Sequence, residues 1–144
     1  MPAVKEFLDT NIFAYALDAR DGAKKLTAAT LIVELLRGER AVTSYQVVQE
    51  FVNVAMRSAI PGFGVKEAHA YLRESFARIE IVSPTLGLFE EAMEIQTKYQ
   101  FHWYDSLIVA AALEAGCETL YTEDLHNGQM IEGMMIVNPF ISSP

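Results

Sequence analysis

The chain has one cysteine, Cys117, in 144 residues. No internal disulfide can form, and no cysteine cluster can hold zinc. A single thiol fits a reducing compartment, so the expected location is cytoplasmic. Long apolar runs are also missing. The longest, Leu107 to Leu113, falls far short of the roughly 20 residues that span a bilayer as a helix. No membrane role is expected. The opening Met1 to Asp9 carries Lys5 and Glu6 inside its first apolar stretch, unlike a secretory leader. Basic residues are scarce. Eleven Lys and Arg face 19 Asp and Glu, for a formal net charge of −8. That balance excludes a generic nucleic-acid coat, whose affinity comes from cations on phosphates. It does not exclude a nuclease, because bound divalent cations would neutralise clustered carboxylates. Lys24, Lys25, Arg37, Arg40, Arg57 and Arg73 are the candidates for a local basic patch.

Several catalytic signatures are absent as well. His69, His102 and His126 have no paired zinc spacing, and there is no HExxH. Gly62-Phe63-Gly64 lacks the Gly-Lys of a phosphate loop and reads as a bend. No Gly-x-Ser-x-Gly elbow occurs.

What is present is apolar: 51% of residues are hydrophobic, enough for one self-sufficient domain over residues 1–144. Short strands are expected at Val4–Leu8, Ala41–Thr43, Ile79–Val82, Thr119–Thr122 and Met135–Val137. Helices are expected at Ile12–Leu17, Gly22–Leu36, Tyr45–Arg57, Val65–Phe76, from Pro84 to Tyr99, and at Asp105–Ala115. The second helix shows Leu26, Ala29, Thr30, Val33 and Leu36 at helical spacing, the expected buried face. Asp124 to Gly133 is polar and Gly-punctuated, and reads as a loop. Strands alternating with helices define an α/β layer with a mostly parallel sheet. Ligands of such sheets sit outside the carboxyl ends of the strands.

Four acidic residues stand out: Asp9 and Asp124 close behind expected strands, Asp105 at a helix start, and Glu50 within the helix that follows Ser44. Each alone has an ordinary explanation. Asp9 suits a helix cap. Glu50 lies on the border of an apolar arc formed by Val47, Phe51 and Val54. Asp105 suits the first turn of a helix. Asp124 suits a turn, and Glu123 beside it is an alternative fourth acid. Gathering all four at the rim of a core is costly unless a cation holds them. A hard divalent ion and phosphate chemistry are the simplest reading. His102-Trp103-Tyr104, just before Asp105, is either packing at a helix start or a base-stacking platform.

The words around the four acids resemble a known family. Phe7-Leu8-Asp9-Thr10-Asn11-Ile12, Thr43-Ser44 with Gln49-Glu50-Phe51, Tyr104-Asp105-Ser106-Leu107-Ile108, and Leu120-Tyr121-Thr122-Glu123-Asp124-Leu125 occur in order. They look like the acidic motifs of the PIN-domain family, most of all its VapC-type toxin ribonucleases. The resemblance covers nearly the whole chain. It implies a three-layer α/β/α domain with a central, mostly parallel sheet. It implies a Mg²⁺-dependent endoribonuclease, with Mn²⁺ as substitute, that is the toxin of a type II toxin–antitoxin pair. Asp9, Glu50, Asp105 and Asp124 would be its acidic cluster. Asp9 and Asp105 would bind metal directly, Glu50 would bind it or orient the attacking water, and Asp124 would bind a second ion or act through water. Thr10, Asn11, Ser44 and Thr122 would be polar supports. RNA, a small antitoxin and a second copy of the chain are the implied partners. A housekeeping RNA-processing nuclease and a non-catalytic PIN-like binding protein are the alternatives. A phosphatase of the haloacid-dehalogenase type would need an acid two residues after Asp9, where Asn11 stands.

Overall fold

A computed structural model describes residues 4–141. Residues 1–3, part of the opening segment read above as no leader, lie outside it. The elements run β1 (Glu6–Leu8), α1 (Thr10–Leu17), α2 (Gly22–Arg37), β2 (Ala41–Ser44), α3 (Tyr45–Met56) and α4 (Val65–Glu74). A 3₁₀ turn at Phe76–Arg78 follows, then β3 (Glu80–Val82), α5 (Leu86–Tyr99), α6 (Trp103–Glu114), β4 (Thr119–Tyr121), β5 (Met130–Ile131) and β6 (Met134–Val137).

The sheet order is β3-β2-β1-β4-β6-β5. All neighbouring pairs are parallel except β5 with β6. From β1 the chain steps outward to β2 and β3, then crosses back to β4 on the other side of β1. Parallel crossovers are right-handed. The change of direction therefore puts α1–α4 on one face and α5–α6 on the other, giving three layers. It also makes the β1/β4 boundary the point where strand order reverses, the place such sheets leave a crevice.

Local chemistry sets the helix starts. Ser44 accepts from the Val47 N–H, Thr85 from that of Leu88 and Asp21 from that of Lys24, each satisfying a free first-turn donor. Thr85 thus caps α5, and Pro84, expected in its first turn, lies just before the cap. Helix α6 begins at Trp103, so Asp105 sits inside its first turn. Ser106 to Ala112 are all buried, and the small Ala110, Ala111 and Ala112 allow close packing.

On the opposite face an aromatic cluster ties α1, α3 and α4 together. Phe13 meets Phe51 at 6.4 Å and Phe76 at 4.8 Å between ring centroids, and Tyr71 meets Phe51 at 5.0 Å. Phe13 follows Thr10 by three residues and Phe51 follows Glu50 directly, so this packing fixes Thr10 relative to Glu50.

Three expectations need correction. Helix α2 buries Ala28, Ile32 and Leu35; Leu26 is 70% and Val33 45% exposed. The helix has two apolar stripes, and the one carrying Ala28, Ile32 and Leu35 turns inward where α2 packs mainly on α1 and in part on β2. The stretch expected to be loop contains β5, hairpinned to β6 through Glu132 and Gly133, both at positive φ (49° and 87°). Two consecutive left-handed residues match the strand twist in a two-residue hairpin. The fourth expected helix ends at Glu74, and Phe76 belongs to the separate 3₁₀ turn.

Candidate acidic site at the carboxyl edge of the sheet

Asp9 leaves β1 at the order-reversal point. Its backbone N–H still donates to the Tyr121 carbonyl (3.1 Å), so its position is fixed by β4. The side chain is buried and caps α1: Oδ1 accepts from the Thr10 N–H at 2.7 Å. Oδ2 accepts from the Thr122 hydroxyl at 2.8 Å. Burial is the largest influence and pushes the carboxyl up to about 7. The Thr10 and Thr122 hydrogen bonds oppose that rise, and the charges of Asp124 and Glu50 add to it.

Thr122 follows β4 and acts as a hub. Having donated to Asp9, its oxygen accepts from the Asp124 N–H at 3.1 Å and from Asn11 Nδ2 at 3.5 Å. Asn11 Nδ2 also donates to Asp124 Oδ2 at 3.2 Å. Burial, then the neighbouring Glu123 charge, raises the Asp124 carboxyl; Glu50 raises it further and the Asn11 bond lowers it. Glu123 itself points elsewhere, to Lys24 Nζ (3.1 Å) and the Tyr15 hydroxyl (2.8 Å). Of the two adjacent acids, Asp124 is the one that faces Asp9.

Glu50 comes in from α3. Its Oε2 accepts from the Thr10 hydroxyl, and its Oε1 from Gln46 Nε2 at 2.9 Å. Gln46 Nε2 also donates to the Tyr104 carbonyl at 3.2 Å, linking α3 to the start of α6. Asp105, one residue on, is half-buried. Burial raises its carboxyl, Asp124 and Glu50 raise it further, and His102 opposes them. Ser44 does not join this network; it caps α3. Gln46 was missed in the sequence. Its spacing of four residues from Glu50 was the signal, since such pairs are neighbours on a helix.

The four carboxylates therefore share one field. None of them forms an ion pair among the described residues, although six ion pairs occur there. Among those same residues no three His, Cys, Asp or Glu side chains converge tightly enough to grip an ion alone. Hard oxygen donors, uncompensated negative charge and loose spacing together fit a Mg²⁺-like ion. Such an ion keeps several waters and binds few carboxylates directly.

Fold and site together define an α/β domain with an acidic crevice at its strand-order reversal. Residues 7–126 match the PIN domain, and the chain belongs to the PIN-domain family. No relative is found among curated proteins. Solved structures share the fold. A toxin–antitoxin complex from Klebsiella pneumoniae aligns with TM-score 0.66 at 18% identity, over 94% of this chain and 98% of that one. VapBC2 from Rickettsia felis, bound to a promoter DNA fragment, gives 0.66 at 18%, over 92% and 97%. Mycobacterium tuberculosis VapC20, a sarcin–ricin loop cleaving toxin, gives 0.62 at 20%, over 83% and 92%.

Proposed function

We propose that the protein is a divalent-metal-dependent endoribonuclease, the toxin component of a toxin–antitoxin pair. One observation carries the catalytic half: four carboxylates lie within one another's field at the sheet edge, and none is ion-paired among the described residues. Two of the similar structures are described as toxin–antitoxin or VapBC complexes and a third as a sarcin–ricin loop cleaving toxin, which supports the toxin half. The antitoxin is then a protein partner that covers the crevice. The chain works in the cytoplasm, as a homodimer, on RNA.

Asp9 and Asp105 would hold Mg²⁺ or Mn²⁺, with Asp124 on the exposed side of the same crevice. The ion, when bound, neutralises charge on the phosphate and acidifies water. The chain's own residues do the rest. Thr10 N–H and Thr122 hydroxyl fix both oxygens of Asp9. Thr10 and Gln46 fix Glu50 with one bond to each oxygen. The remaining lone pairs of Glu50 orient the attacking water and accept its proton. Asn11 restrains Asp124. Water, not the ribose 2′-hydroxyl, is the nucleophile, so the cut leaves a 5′-phosphate and a 3′-hydroxyl.

The test is cleavage of a structured RNA by partner-free protein in Mg²⁺, in Mn²⁺ and in EDTA, beside Asp105→Asn. Cutting in either metal that EDTA and the substitution abolish supports the reading. Equal cutting by Asp105→Asn contradicts it. Growth arrest on induction, relieved by the product of a neighbouring small reading frame, separates a toxin from a housekeeping RNA-processing nuclease.

A further inference from the structure

Beside the acidic crevice lies a cavity of about 330 Å³ between the start of α3, the end of β3, α5 and α6. None of its lining side chains is charged, in a chain of net charge −8. Its walls are Val82, Leu88, Phe89 and Leu107. Trp103 is half-buried on one side. Tyr45 and Tyr104 stand at the mouth, 50% and 67% exposed. Two amides, Gln46 and Gln49, also line it. Gln46 is committed to Glu50 and the Tyr104 carbonyl. Gln49 is exposed at the rim and has no hydrogen-bond partner among the described residues.

From this we infer that the cavity takes one unstacked nucleobase of the RNA whose phosphate lies at the carboxylates, with Tyr104 and Trp103 as stacking faces and Gln49 reading the base edge. The inference rests on the nuclease reading above. The uncharged lining offers a phosphate no cationic partner. Flat aromatic faces with an adjacent free amide are what single-stranded RNA bases use for stacking and edge recognition. Continuity argues for the same strand: Gln46 touches both the Glu50 carboxylate and the cavity wall, and Tyr104 directly precedes Asp105. Gln46 is then a positioning residue that couples an occupied cavity to Glu50.

Trp103 is the single tryptophan of the chain, so its fluorescence reports the cavity directly. The experiment titrates the full-length protein with short single-stranded oligoribonucleotides in Ca²⁺. Beside them run the same strands carrying one abasic position. Saturable quenching is expected, with affinity about tenfold weaker for the abasic strand and for Tyr104→Ala, the scale of one lost stacking contact. Gln49→Ala should flatten the preference among the four bases. Both side chains are exposed, so neither change threatens the fold. Equal affinity for intact and abasic strands, or titrations unmoved by Tyr104→Ala plus Gln49→Ala, overturns the inference. So does quenching by an apolar peptide with none by RNA, which would give the cavity to a protein partner. Metal-dependent cutting is measured on the same preparations. Base-dependent quenching without any cutting keeps the cavity and sinks the nuclease; cutting with base-indifferent quenching does the reverse.

Discussion

Asp9 carries an unusual charge balance. Its folded value of about 7 lies above its ordinary 3.8, so the native state binds the proton more tightly than the unfolded chain. The contribution is fully present below about pH 4 and is lost as pH rises through about 7. Without metal, Asp9→Asn should therefore gain stability relative to the parent between pH 4 and pH 8. The gain should be about 1–3 kcal/mol, allowing for weakened hydrogen bonds. Thermal unfolding in EDTA at the two pH values reads it directly, and a pH-independent difference would refute the assignment. Gln46 offers a second residue-scale prediction. Gln46→Ala should lower cleavage by about 10- to 100-fold, as loss of an orienting partner does, while unfolding changes by less than about 1 kcal/mol. A fall in cleavage matched by a collapse of stability would mean a merely structural role. Asp9, Glu50, Asp105 and Asp124 could be singled out in the sequence because motif words surround them. Thr122 was legible there as a polar support, but not as a hub that donates to Asp9 while accepting from Asn11 and Asp124. The hub depends on β1 and β4 lying side by side, 113 residues apart for the Asp9 contact.

At the scale of elements, α2 shows how periodicity can mislead. Its two apolar stripes are both at helical spacing, and only the packing of α2 on α1 and β2 decides which one is buried. Ile32→Ala should cost about 2–5 kcal/mol, as buried truncations do. Leu26→Ser should stay within about 0.5 kcal/mol. Denaturant unfolding of the two variants checks this, and a large loss from Leu26→Ser would mean the outer stripe is covered in solution. The β5–β6 hairpin escaped sequence reading because its turn is Glu132-Gly133. The expected Asn-Gly or Asp-Gly is missing. Glu132 is held instead by Lys98 at 2.6 Å and the Tyr99 hydroxyl at 3.0 Å, contacts from a distant helix that no local rule anticipates. The α/β alternation, by contrast, was plain, because strands and helices differ in length and in where Gly and Pro fall.

For the whole molecule, the strand order gathers the acids and the net charge of −8 leaves them uncompensated. No helix among the described residues is long and apolar enough to cross a membrane. An ion that binds only the folded crevice must stabilise the fold by mass action. At a hundredfold excess over its dissociation constant the gain is about 2.7 kcal/mol, or roughly 5–10 °C for a chain of this size. The melting temperature should rise with Mg²⁺, fall back in EDTA, and respond far less in Asp9→Asn plus Asp105→Asn. A rise of the same size in that double variant would move the ion elsewhere.

The most direct measurement is the chemistry of the cut ends. RNA is incubated in Mg²⁺ with the parent protein and with Asp105→Asn, and the new termini are identified. A 5′-phosphate and a 3′-hydroxyl, formed only by the parent, are the predicted result. A 2′,3′-cyclic phosphate, or the same ends from Asp105→Asn, would contradict hydrolysis by water at these four carboxylates.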